Sequence, residues 1–151
     1  MRYRDFGNLG YKISALGYGA MRLPEDENGA VRRDEAVAVI RAAVDAGINY
    51  VDTAPLYNRN QSEEAVGEAL ADGYRERVWL STKNQRVNDD AGDWRRRLDE
   101  SLRKLKTDYV DVYHVWGISW KEFMEHLAIK DGPLAAARKA CLLYTSPSPR
   151  D

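Results

Sequence analysis

The sequence predicts an α/β fold built on a parallel sheet. Short apolar, strand-like runs alternate with amphipathic, helix-like runs at intervals of about thirty residues, the spacing of repeated βαβ units. Gly47 and Gly73 stand where the first two helices should end. Asp52 and Lys83 close two of the strand-like runs, on the rim where parallel β/α folds place their sites. Alternation alone does not choose between a closed barrel and an open, doubly wound sheet.

The elements follow in order. Arg2 to Phe6 and Tyr11 to Ser14 flank the turn-rich Gly7-Asn8-Leu9-Gly10 and read as a hairpin. Ala15 to Ala20 is short and apolar, a buried strand, and Pro24 to Gly29 is a polar loop. Asp34 is placed to cap a first helix with Val37, Ile40, Ala43 and Val44 inward. Ile48 to Thr53 is the next strand. Ser62 is placed to cap a second helix, with Glu63 and Glu64 in its first turn. Val78 to Lys83 is a strand, and Trp94 to Leu105 a helix with Trp94, Leu98, Leu102 and Leu105 on one stripe. Tyr109 to Trp116 is a strand. Ser119 caps a helix from Trp120 to Leu127, and Pro133 to Ala140 forms another. Beyond Ala140 the pattern stops. Two Ser-Pro pairs exclude a helix there, and residues 141–151 resemble read-through of adapter sequence, a non-native or disordered tail. Residues 1–140 form the domain.

Composition narrows the function. Hydrophobic residues make up 44% and charged residues 31% of the chain, an ordinary globular balance. A net charge of -1 offers no general attraction to nucleic acid or an anionic membrane. Arg95-Arg96-Arg97 lies within the third helix, where a solvated face is expected. One cysteine excludes an internal disulfide and suggests a reducing, cytoplasmic setting. His114 and His126 lack metal-ligand spacing, so no metal is expected. No apolar run reaches membrane-spanning length, and no signal-peptide core follows Met1.

Asp52, Tyr57 and Lys83 carry the chemistry. Each alone has a plain structural reading: a loop cap, a packed ring, a solvated amine. An acid, a phenol and a base converging on one rim are harder to explain by packing.

These residues lie within a larger pattern. Leu16-Gly17-Tyr18-Gly19-Ala20-Met21, Asp52-Thr53-Ala54-Pro55-Leu56-Tyr57, Ser62-Glu63 with Val66-Gly67, Ser81-Thr82-Lys83 and Leu105 to Tyr113 occur in one order along the chain. The sequence resembles the aldo-keto reductase family over roughly residues 1 to 140. It looks most like the bacterial branch whose full-length members often carry a C-terminal iron–sulfur domain. The lone Cys141 provides no ligand set for such a cluster.

The resemblance implies a (β/α)₈ barrel, of which this chain holds the N-terminal hairpin and about the first four βα units. It also implies reduction of an aldehyde or ketone to an alcohol with NADPH or NADH. Tyr57 would protonate the developing alkoxide. A free phenol, with a pKa of about 10, is too weak an acid for this at neutral pH. Lys83 would favour the phenolate by its charge, and Asp52 would hold Lys83 protonated and oriented. Gly19, Ala20 and Met21 would lie on the cofactor side. Gly17-Tyr18-Gly19 is not a Rossmann fingerprint, because the third glycine is missing and Arg22-Leu23-Pro24 starts no helix.

Two departures stand out. Five residues after Asp111, where the family pattern has histidine, this chain has Trp116, and His114 lies two residues earlier. Alternation puts both on one strand face, with His114 about 6–7 Å deeper. Trp116 replaces the histidine as donor, or a bulge raises His114 to the rim, or His114 is a core residue. The second departure is after Tyr57, where Asn58-Arg59-Asn60-Gln61 replaces a glycine-led link with a more polar one. Two other functions remain open: a non-catalytic nicotinamide-binding regulatory or redox-sensing relative, and a Schiff-base aldolase acting through Lys83. With strands missing, the sheet edges would be open, so self-association is expected.

Overall fold

A computed structural model describes residues 1–85 and 90–143. The chain divides into two compact units. The first comprises residues 1–83 and 101–114, and the second residues 84–100 and 115–151.

The first unit opens with an antiparallel hairpin, β1 (Tyr3–Asp5) and β2 (Lys12–Ser14). A parallel sheet follows in the order β3 (Tyr18–Gly19), β4 (Tyr50–Asp52), β5 (Trp79–Gln85), β6 (Val112–Trp116). Strand order equals chain order, as expected of consecutive right-handed βαβ crossovers. Helices α1 (Arg33–Asp45) and α2 (Ser62–Ala69) cross between strands, and α3 (Ala91–Leu105) leads from β5 to β6. The core forms where Ile40 and Val44 of α1 and Val66 and Ala69 of α2 meet Val51 and Leu80, the outward residues of β4 and β5. Gly67 lets α2 approach the last turn of α3: a Cβ there would stand 2.7 Å from the Lys104 carbonyl oxygen and 2.8 Å from that of Leu105.

The hairpin is tied to the sheet at the N-terminal ends of its strands. Asn49, just before β4, accepts from the Ser14 backbone N–H at 2.7 Å and donates to the Lys12 carbonyl at 3.0 Å. Tyr11 stacks on Trp79 at 3.8 Å. Burial, then the Asp111 carboxylate and Tyr50, raise the Tyr11 phenol above its ordinary pKa.

The second unit contains the N-terminal part of α3, where the Asn84 side chain donates to the Trp94 carbonyl at 3.1 Å. It also holds a short helix α4 (Trp120–Glu122), a π-helical turn (Phe123–Leu127) and α5 (Pro133–Leu143). The expected Ser119 cap forms as a full capping box with Glu122.

Several expectations need correction. The residue capping α1 is Arg32, without a side-chain cap bond, and Asp34 lies inside the first turn. Ser62 does not cap α2 either: Gln61 takes that position, and the Ser62 hydroxyl is committed elsewhere. The helix expected over Trp120–Leu127 changes to π geometry at Phe123. The last helix continues past Ala140 to Leu143, so the expected boundary at residue 140 falls inside it. The remainder of the expected tail, residues 144–151, lies outside the described residues. No helix among the described residues is long and apolar enough to cross a membrane.

Candidate active site

The site is built by ladder register. Gly19 pairs with Asp52, and Asp52 with Ser81. Alternation then puts Gly17, Gly19, Tyr50, Asp52, Trp79, Ser81 and Lys83 on the inner sheet face, and Tyr18, Val51 and Leu80 on the helix side. Tyr18 accordingly packs against the core, and burial raises its phenol, making it a weaker acid still. The two glycines around it have separate uses. A Cβ on Gly17 would sit 3.2 Å from the Tyr50 ring, whereas a Cβ on Gly19 would meet nothing within 4 Å. Gly19 therefore leaves open space directly beside Asp52.

The structure brings Asp52, Lys83 and Tyr57 together. Lys83 Nζ donates to Asp52 Oδ1 at 2.6 Å and to Oδ2 at 2.5 Å. It also donates to the Thr53 carbonyl at 3.0 Å. The same Nζ lies 5.0 Å from the centroid of the Tyr57 ring, a cation–π contact. Tyr57 is half-buried, and its Oη makes no hydrogen bond with any of the described residues. The cluster sits at the C-terminal ends of β4 and β5 and in the turn after β4.

Strand alternation contained a signal for one member that motif reading passes over. Ser81, two residues before Lys83, is wholly buried and donates to Asp52 Oδ1 at 2.8 Å. A buried hydroxyl chain lies next to it. Thr53 Oγ1 donates to Ser62 Oγ at 2.8 Å, and Ser62 Oγ donates to the Ala20 carbonyl at 2.7 Å. A serine hydroxyl has one hydrogen, so this second bond fixes the direction of the first. It also explains why Ser62 does not cap its helix.

The turn after Tyr57 carries strain. Asn58, Arg59 and Asn60 all have positive φ, at 47°, 52° and 69°. Asparagine tolerates that region better than most residues, and arginine does not. Side chains hold the turn against the segment from Leu23 to Val31. Asn58 donates to Glu25 Oε1 at 2.8 Å, Arg59 to the Asn28 carbonyl at 2.6 Å, and Gln61 accepts from the Val31 N–H at 3.0 Å. The polar link thus anchors Tyr57 to its neighbouring loop.

The remaining expected site residues are placed as follows. His114 is exposed, so it is not a core residue, and its Nε2 lies 3.5 Å from Tyr50 Oη. Tyr50 is two residues before Asp52, so this pair occupies the inner layer below the Asp52–Lys83 level. Strand β6 runs from Val112 to Trp116. Trp116, at its end, is 39% exposed. Ala20 is buried, its N–H donating to the Asp52 carbonyl at 2.8 Å and its carbonyl taken by Ser62, so it acts through its backbone. Met21 is exposed. Among the described residues no group of three or more His, Cys, Asp or Glu could hold a metal ion.

A parallel β/α sheet whose strand ends present an Asp–Lys ion pair and a phenol defines a parallel α/β class of protein with its polar site on the C-terminal rim. The comparisons make the class specific. The model of the aldo/keto reductase family matches residues 15–130, and the chain belongs to that family. L-galactose dehydrogenase of Arabidopsis thaliana is 38% identical over 123 residues, which is 78% of this chain and 38% of the relative. Aldo-keto reductase YhdN of Bacillus subtilis is 34% identical over 130 residues, covering 76% of this chain and 38% of the relative. An aldo-keto reductase from Klebsiella pneumoniae, solved in complex with NADPH, is 29% identical with a TM-score of 0.70, covering 87% of this chain and 43% of that one. The chain spans less than half the length of these relatives. The fold is accordingly part of a (β/α)₈ barrel, carrying the hairpin and the first parallel strands.

Proposed function

We propose that the chain is the N-terminal half of an NAD(P)H-dependent oxidoreductase that reduces an aldehyde or ketone to an alcohol. The observation that carries this reading is the Lys83 ammonium, held by both oxygens of Asp52 and lying against the Tyr57 ring. The nicotinamide, when bound, supplies the hydride for the carbonyl carbon. Tyr57 Oη donates its proton to the carbonyl oxygen as negative charge develops there. Lys83 stabilises the phenolate left behind, and Asp52 keeps the ammonium charged and fixed. Gly19 and Met21 line the cofactor side, Gly19 by leaving room and Met21 by apolar contact. The NADPH-bound Klebsiella pneumoniae relative supports the cofactor class. A cytoplasmic setting suits this cofactor and the single cysteine.

Lys83 argues against the aldolase. An ammonium donating to three acceptors has no lone pair with which to attack a carbonyl. The test is NADPH oxidation by the complete enzyme over a panel of aldehydes and ketones. Cofactor binding without turnover would favour the regulatory, non-catalytic relative instead. The 151-residue chain alone should show no reductase activity and should self-associate through its open sheet edges, read by light scattering.

We further propose that Trp116, not His114, faces the substrate. The support is the His114–Tyr50 contact, which sets the imidazole beside a residue two positions before Asp52. In the complete enzyme, Trp116→Ala should lower kcat/KM more than His114→Ala when both variants are equally stable. The reverse ranking would return the histidine to the reacting carbonyl.

A further inference from the structure

Ser81 is wholly buried on β5, directly across the ladder from Asp52 and on the same face as Lys83. Parallel strands favour branched apolar residues, and a buried hydroxyl requires a partner. The partner here is Asp52 Oδ1, at 2.8 Å. Oδ1 thus accepts from both Ser81 and Lys83, while Oδ2 accepts from Lys83 alone. Lys83 Nζ is held by the two oxygens of one carboxylate and by the Thr53 carbonyl, and it lies 5.0 Å from the centroid of the Tyr57 ring.

We infer that Ser81 is a positioning residue of this site. Its hydroxyl fixes the plane of the Asp52 carboxylate, so that both oxygens grip Lys83. The ammonium is then held in place beside the Tyr57 ring. An aspartate's terminal torsion is broad and roughly two-fold, so the carboxylate needs an outside contact to hold one plane. Without Ser81 the carboxylate turns, one oxygen leaves Nζ, and the ammonium gains room to move. The meaning of this device for catalysis rests on the reductase reading; its geometry does not.

The test uses the complete enzyme labelled with ¹⁵N at lysine Nζ and ¹³C at aspartate carboxyls. One slowly exchanging ammonium signal is expected, absent in Lys83→Met and coupled through a hydrogen bond to an aspartate carboxyl carbon. In Ser81→Ala its hydrogens should exchange with water about 10-fold faster, the weight of one hydrogen bond to a charged group. Ser81→Thr, which keeps the hydroxyl, should restore slow exchange. Ser81→Cys is nearly isosteric but a weak donor, and should behave as Ser81→Ala does; it carries the test if the alanine variant does not fold. Unchanged exchange in a folded Ser81→Ala or Ser81→Cys chain overturns the inference. In the complete enzyme, Ser81→Ala should lower kcat about 10-fold with an unchanged KM for the carbonyl. The solvent deuterium isotope effect on kcat should rise as proton donation becomes limiting. A complete wild-type enzyme that reduces no carbonyl would sink the reductase reading and leave the exchange result to judge Ser81.

Discussion

Tyr57→Phe in the complete enzyme is expected to lower kcat/KM for carbonyl reduction by about 10²–10⁴-fold, the usual weight of a positioned general acid. The structure makes this a narrow test. Lys83 meets Tyr57 through the ring face, at 5.0 Å from the centroid, and phenylalanine keeps that face. The hydroxyl makes no hydrogen bond with the described residues, so removing it strands no protein partner. Stability and NADPH affinity, read by thermal melting and by quenching of protein fluorescence, should stay near wild-type. Loss of turnover with both retained isolates the phenolic proton. Undiminished reduction by Tyr57→Phe would remove the residue from the role of acid and transfer the question to Trp116.

The parts of this site that were legible in the sequence are those governed by local rules. Strand alternation puts Asp52 and Lys83 on one face, and strand ends put them on one rim. The parts that were not legible are those in which a side chain chooses among partners distant in sequence. Ser62 has the residue type and position of an N-cap, yet one hydroxyl proton cannot serve two purposes, and the Ala20 carbonyl takes it. Ser81 looks like filler before the lysine until the ladder sets it opposite Asp52. The π turn at Phe123–Leu127 differs from an α-helix by one residue in hydrogen-bond span, a difference that apolar spacing does not resolve. Asn58 stands where the resemblance has a glycine, and its φ of 47° is left-handed. Its side-chain bond to Glu25 holds the turn in that shape.

The least legible partnership, Arg75 with Asp111, should have the largest effect on stability. The two side chains are 10% and 9% exposed and meet at 2.9 Å. Asp111 Oδ2 also accepts from the Leu80 backbone N–H at 2.7 Å, and the Asp111 N–H donates to the Leu80 carbonyl at 3.0 Å. Arg75 in turn donates to the carbonyls of Val78 and Tyr109, both at 3.1 Å, and lies 4.0 Å from the centroid of the Tyr109 ring. One carboxylate and one guanidinium therefore join the start of β5 to the segment leading into β6. Asp111→Ala would leave a buried guanidinium without its counter-charge and the Leu80 N–H without its side-chain acceptor. Removing one partner of a buried pair costs about 3–5 kcal/mol, which for a chain of this size lowers Tm by roughly 6–20 °C. Replacing both partners, Arg75→Met with Asp111→Leu, should cost less than Asp111→Ala alone, because no charge is then left buried. Melts of the three chains followed by circular dichroism decide it. A loss under about 1 kcal/mol for Asp111→Ala would mean that the pair is solvated in practice, as surface pairs are. A large loss would show that the buried pair holds the start of β5 to the segment leading into β6.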